Sequence, residues 1–75
     1  MTRDELHTLV AGRVMLLTDK RGRRREGVVT QVNWWTGGDG VKWGTVRVDF
    51  GGGWVADIDL AHPDKEFVAR LEVAR

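Results

Sequence analysis

The chain has 75 residues, 41% of them hydrophobic and 31% charged, which fits one soluble globular domain near the lower size limit for a self-sufficient core. A large catalytic cavity is excluded on size, and with no cysteine neither a disulfide nor a thiolate-held zinc can brace the fold. The net charge of +1 conceals a gradient: residues 1–26 carry seven basic side chains against four acidic, residues 27–75 five against seven.

Thr2 and Glu5 have the spacing of a capping box, Leu6, Leu9 and Val10 share one helical face, and Gly12 supplies a stop. This predicts a short helix from Thr2 to Ala11, with a strand as the alternative. His7 lies in it without an evident partner. Arg13 to Thr18, RVMLLT, is short and apolar and predicts a first strand. Asp19 to Arg25, DKRGRRR, then reads as an exposed tip, with Gly22 free to take a positive φ.

Glu26 to Phe50 predicts two strands joined through Gly37-Gly38-Asp39-Gly40. Setting Trp35 opposite Trp43 places Val32 opposite Val46, Thr30 opposite Val48 and Val28 opposite Phe50. Strand alternation then puts Gln31, Asn33, Trp35, Trp43, Thr45 and Arg47 on an outer face. Trp34 falls on the inner side. Gly51-Gly52-Gly53 forces a reversal, after which Trp54 pairs with Phe50, Ala56 with Val48 and Ile58 with Val46, so that Trp54 also points inward. Asp59 to Glu66 suits a polar connection with one 3₁₀ turn, anchored by Leu60. Phe67 to Val73, FVARLEV, alternates as a last strand.

Five short strands and one short helix predict an all-β fold, a small five-stranded antiparallel barrel over 12–75 with the helix over 1–11. GRVMLLTDKRGRRREGVVTQV and VRVDFGGGWVADIDL resemble the two halves of SH3-like barrels of the KOW and Tudor type. The resemblance implies an SH3-like barrel, with an OB-like barrel as the rival. Gly22 and Gly27 stand further apart than the KOW pair, and the chain has no tyrosine of the kind that methyl-lysine-reading Tudor domains use.

Four arginines and a lysine within six residues form the densest functional signal: Lys20, Arg21, Arg23, Arg24 and Arg25. Guanidinium forks match phosphate oxygens, and neutralising phosphates releases counterions without reading sequence. The bland alternative is a solvated hairpin end. The outward pair Trp35 and Trp43, near Lys42 and Arg47, offers a stacking platform for bases beside that tip. It also suits a protein partner, because tryptophan and arginine are favoured interface anchors. Its bland alternative is a face covered by the helix or by a second copy.

Asp57, Asp59, Asp64, Glu66 and His62 lack recognised metal-ligand spacing and read as solvated loop residues. Asp49-Phe50-Gly51 matches a kinase tripeptide by chance. The plasmid-type dihydrofolate reductases are SH3-like barrels of similar length, but their Val-Gln-Ile-Tyr strand is replaced here by Trp54-Val55-Ala56-Asp57-Ile58. The leading expectation is a non-enzymatic, cofactor-free module that contacts DNA or RNA. A protein-interaction module, such as an adaptor or small inhibitor of a larger complex, is the alternative. No membrane span and no signal segment is evident, so a cytoplasmic location is expected, with homo-oligomerisation open.

Overall fold

The structure, a computed structural model, describes residues 1–74. Its elements in chain order are α1 (Arg3–Leu6), β1 (Val14–Thr18), β2 (Arg24–Thr36), β3 (Lys42–Asp49), β4 (Val55–Asp59), α2 (Lys65–Ala69) and β5 (Leu71–Val73). The strands form one antiparallel sheet in the order β4-β3-β2-β1-β5. The fold is therefore mostly β, as the alternation predicts. The hydrogen-bonded ladder stays open, with β4 and β5 as its two edges. Among the described residues, no helix is long and apolar enough to cross a membrane.

The predicted capping box forms. Thr2 Oγ1 accepts from the Glu5 N–H and the Glu5 carboxylate accepts from the Thr2 N–H. The helix is shorter than predicted, because the chain turns after Leu6 to bury Leu9 and leave Val10 outside. His7 finds a partner after all, its Nε2 lying 3.3 Å from the Leu60 carbonyl. In β1, Met15 and Leu17 point into the core while alternate residues stay half-covered.

β2 changes partners along its length, pairing with β1 up to Val28 and with β3 from there to Thr36. Within the β2–β3 ladder a bulge at Thr30 corrects the predicted register at one end. Trp35 faces Trp43 and Val32 faces Val46 as expected, but Val48 faces Val29 and Asp49 faces Val28. One extra residue exchanges the faces below it. Val29 is therefore buried and Val28 exposed. The bulge is held from outside the hairpin, since Val29 donates to the Arg13 carbonyl and accepts from the Gly12 N–H.

The β3–β4 register is the predicted one, Val46 with Ile58 and Val48 with Ala56. Gly51, Gly52 and Gly53 all take positive φ in the turn. The predicted last strand is half helix. Asp64 caps α2 by accepting from the Glu66 and Phe67 N–H groups, so Phe67 and Val68 become helical and only Leu71–Val73 pair with β1. The expected 3₁₀ turn is replaced by this α-helical one, because a strong N-cap immediately precedes good helix formers. One core joins the elements, built from Leu6, Leu9, Met15, Leu17, Val29, Val46, Val48, Phe50, Ile58, Leu60, Val68 and Leu71.

Candidate nucleic-acid interface

The β1–β2 turn is organised by one carboxylate. Asp19 Oδ1 accepts from the Arg21 N–H at 2.8 Å and the Arg23 N–H at 2.9 Å, and Gly22 closes the turn at φ 80°. The backbone hydrogen bonds from Gly22 N to Asp19 O and from Asp19 N to Arg23 O complete it. Lys20, Arg21 and Arg23 radiate from this compact tip. Arg24 and Arg25, predicted to lie in the tip, are already in β2 and point to opposite faces. All five are exposed, and none forms an ion pair among the described residues.

Arg25 reaches across the end of the core, its guanidinium 4.9 Å from the centre of the Trp54 ring. The indole in turn stacks on Phe50, with centroids 4.5 Å apart and planes 25° from parallel. Phe50 rests on Gly27, where a Cβ would come within 2.6 Å of its ring. Gly27, Phe50, Trp54 and Arg25 thus form a column from core to solvent. Trp54 was expected inside and is instead 38% exposed. It does face the inner side, but it follows the three-glycine turn directly and so stands at the open end of the core.

Beside this column lies a groove of about 340 Å³. Leu17, Phe67 and Trp54 provide its apolar surface; Lys20, Arg21, Arg70 and Asp19 provide its polar rim. Arg70 is partly engaged, with its guanidinium 3.8 Å from the Glu66 carboxylate. Sequence reasoning missed Trp54, Phe67 and Arg70 as site residues. The signal that was available for Trp54 was its position next to a turn, where an inward-facing side chain reaches the rim of a small core.

The Trp35/Trp43 pair lies elsewhere. Arg24 and Trp35 are eleven residues apart on one strand, about 36 Å at the usual rise, in a molecule whose longest dimension is 40 Å. The basic hairpin and the tryptophan pair therefore sit at opposite ends, which corrects the expectation that they adjoin. The distal β2–β3 hairpin projects as a wing. Trp35 is 60% exposed, and Trp43 packs edge-on against His62 with centroids 6.0 Å apart.

Trp34, expected in the core, is 50% exposed. Its strand partner is Gly44, whose carbonyl accepts from the Leu60 N–H. Lys42 lies over Trp34 at 4.3 Å rather than beside Trp43.

On the outer face, Arg47 and Asp57 form a fork-like pair across β3 and β4, with hydrogen bonds of 2.8 and 3.2 Å. That hydrogen-bonded pairing lowers the Asp57 carboxyl below its ordinary pKa and raises the Arg47 guanidinium above its own. Arg47 therefore already has a counter-charge. The other carboxylates near His62 serve the backbone: Asp59 accepts from the Ala61 and His62 N–H groups, and Asp64 caps α2. Among the described residues no group of His, Asp and Glu is placed to hold a metal ion.

Comparison with protein-family models, curated proteins and solved structures returned no match to the chain. The chemistry of the site stands on its own geometry. One end of the molecule presents Lys20 and Arg21, without ion pairs among the described residues, beside an aromatic groove; the other presents tryptophans, with Lys42 over Trp34.

Proposed function

We propose that the chain is a small non-enzymatic module that binds nucleic acid through the β1–β2 hairpin, on an SH3-like barrel. The strand order, which sets β1 between β2 and β5, supports the barrel assignment. The observation that carries the function is the set of five exposed basic side chains on one hairpin without carboxylate partners among the described residues. Such a cluster suits phosphates, and its affinity falls steeply with salt.

The test is fluorescence anisotropy with a labelled oligonucleotide between about 50 and 200 mM salt. Replacing Arg21, Arg23 and Arg24 together by alanine removes three cations from the exposed hairpin while sparing Arg25, which packs on Trp54. The log–log salt slope should fall in magnitude by about 3, with most affinity lost. Unchanged affinity in that triple variant refutes the reading.

A second reading places a protein partner on the wing. It is favoured by the exposure of Trp34, Trp35 and Trp43 on a projecting hairpin whose Arg47 is already neutralised. Under it, Trp35, Lys42, Trp43 and Arg47 belong to a separate interface from Lys20 to Arg25.

A further inference from the structure

We propose that the free edge of the β2 wing pairs with the same edge of a second copy of this chain, antiparallel and centred on Trp34. The pairing lies at the end of the molecule away from the basic hairpin and stands whether or not that hairpin binds nucleic acid.

The hydrogen-bonding phase of the wing defines the edge. Gly37 donates to the Val41 carbonyl at 2.9 Å, and alternation from that bonded pair makes Trp35/Trp43 and Asn33/Thr45 bonded pairs too. The peptide groups of Val32, Trp34 and Thr36 therefore point away from β3. Gly44, opposite Trp34, has the matching phase, since its carbonyl accepts from Leu60 on the outer side of β3. On the other side of β2, β1 pairs only as far as Val28, and the bonds from Val29 to Gly12 and Arg13 are the last across that edge. Among the described residues no strand pairs with it beyond Val29.

Strand edges are ordinarily blunted by shortness, charge, proline or a bulge. The outer strands of the sheet follow that rule: β5 has three residues, and β4 has five with Asp57 and Asp59 among them. The wing edge does not. From Gly27 to Gly38 the chain carries no charged residue and no proline. The bulge lies behind at Thr30, and Trp34 and Trp35 stand 50% and 60% exposed on the two faces.

A second copy fits this edge by geometry and by charge. With Trp34 facing its own counterpart, Val32 faces the counterpart of Thr36, and each facing pair exchanges two backbone hydrogen bonds. The turn of each copy then ends beside the bulge of the other, so neither core obstructs the ladder. There the exposed Asp39 approaches the exposed Arg13, neither of which has an ion-pair partner among the described residues. The two basic hairpins diverge to roughly 60 Å apart along the strands, which keeps their repulsion small. Two half-exposed indoles per copy and a short ladder bury less than the about 1,200 Å² of ordinary stable complexes, so the dimer is a weak one.

Sedimentation equilibrium of the full chain from about 1 μM to 1 mM should show a monomer–dimer equilibrium. W34K sets like charges face to face at the two-fold axis and should weaken dimerisation by at least about tenfold, with the fold checked by circular dichroism. R21A/R23A/R24A should dimerise as the parent does. Amide exchange of the parent supplies a second measurement that depends on no variant. Protection of the Val32, Trp34 and Thr36 N–H groups should rise with protein concentration, while that of Asn33 and Trp35, bonded within the monomer, changes little. A chain still monomeric at about 1 mM, a folded W34K that dimerises like the parent, or a dimer in which those three amides gain no protection overturns the proposal.

Discussion

Replacing Gly27 by alanine tests the column that links the core to the candidate groove. Gly27 is buried in β2 and is not among the glycines with positive φ, so only space opposes a side chain there. A Cβ would lie 2.6 and 2.8 Å from the Phe50 ring and 2.9 Å from Val48 Cγ1. Neither neighbour can retreat easily: Val48 is fully buried, and Phe50 carries Trp54 stacked on its ring.

Forcing a methyl into such packing costs about 1–3 kcal/mol. Alanine's lower chain entropy returns about 0.5–1 kcal/mol relative to glycine in a strand. The two terms leave a net loss of up to about 2.5 kcal/mol, which in a domain of this size lowers Tm by up to about 20 °C. Urea melts followed by circular dichroism measure it. G27A should also shift Trp54 emission, because Phe50 must move against the indole. Trimming Phe50 in the same molecule, as in G27A/F50L, should recover part of the loss, giving a coupling of about 0.5–3 kcal/mol in a double-mutant cycle. If G27A matches the parent in both stability and tryptophan emission, Phe50 is not seated on Gly27 and the column is wrong.

Two further outcomes can be measured. Gly44 has φ 129°, and a Cβ there would lie 1.9 Å from the Asn33 carbonyl oxygen and 2.7 Å from Trp34 Cα. G44A should therefore unpair the wing at a cost of at least about 1–3 kcal/mol from backbone strain. Amide exchange should accelerate from Trp34 to Trp43 while Met15 and Val48 stay protected; retained protection in the wing refutes the geometry. The second outcome is acid sensitivity. Hydrogen bonds from Thr2 lower the Glu5 pKa and the bond from Arg47 lowers that of Asp57. Depressed carboxylates stabilise the fold above their unfolded values, and the contribution disappears as pH falls through the lower folded values. Both groups are exposed, so the effect is small. E5Q/D57N should flatten the decline of Tm below the usual carboxylate range, and an unaltered profile contradicts these pairings.

Much of the fold is legible in short stretches of residues. The Thr2–Glu5 cap, the glycine turn at Gly22 and the reversal at Gly51–Gly53 are local, because a side-chain oxygen or a positive φ acts within a few bonds. The β3–β4 register follows from that reversal, since alternation carries the pairing onward without outside help. Of the candidate site, Lys20, Arg21 and Arg23 are found where a charged turn places them. The bulge at Thr30 is another matter: two adjacent valines compete for the inner face, and the bonds from Gly12 and Arg13 choose Val29.

Burial separates the two levels most clearly. Alternation states which side of a strand Trp34 and Trp54 occupy, but covering that side requires residues from distant parts of the chain. Trp34, on the inner side opposite Gly44, is left half in solvent. At the other end, Arg25 closes over Trp54 and leaves one side open towards Leu17 and Phe67. The amino-acid order thus specified the strands, the turns and the basic hairpin. Long-range packing selected Trp54, rather than Trp35 and Trp43, as the aromatic group beside those cations, because thirteen residues of extended β2 hold the two tryptophan sites at opposite ends of the molecule.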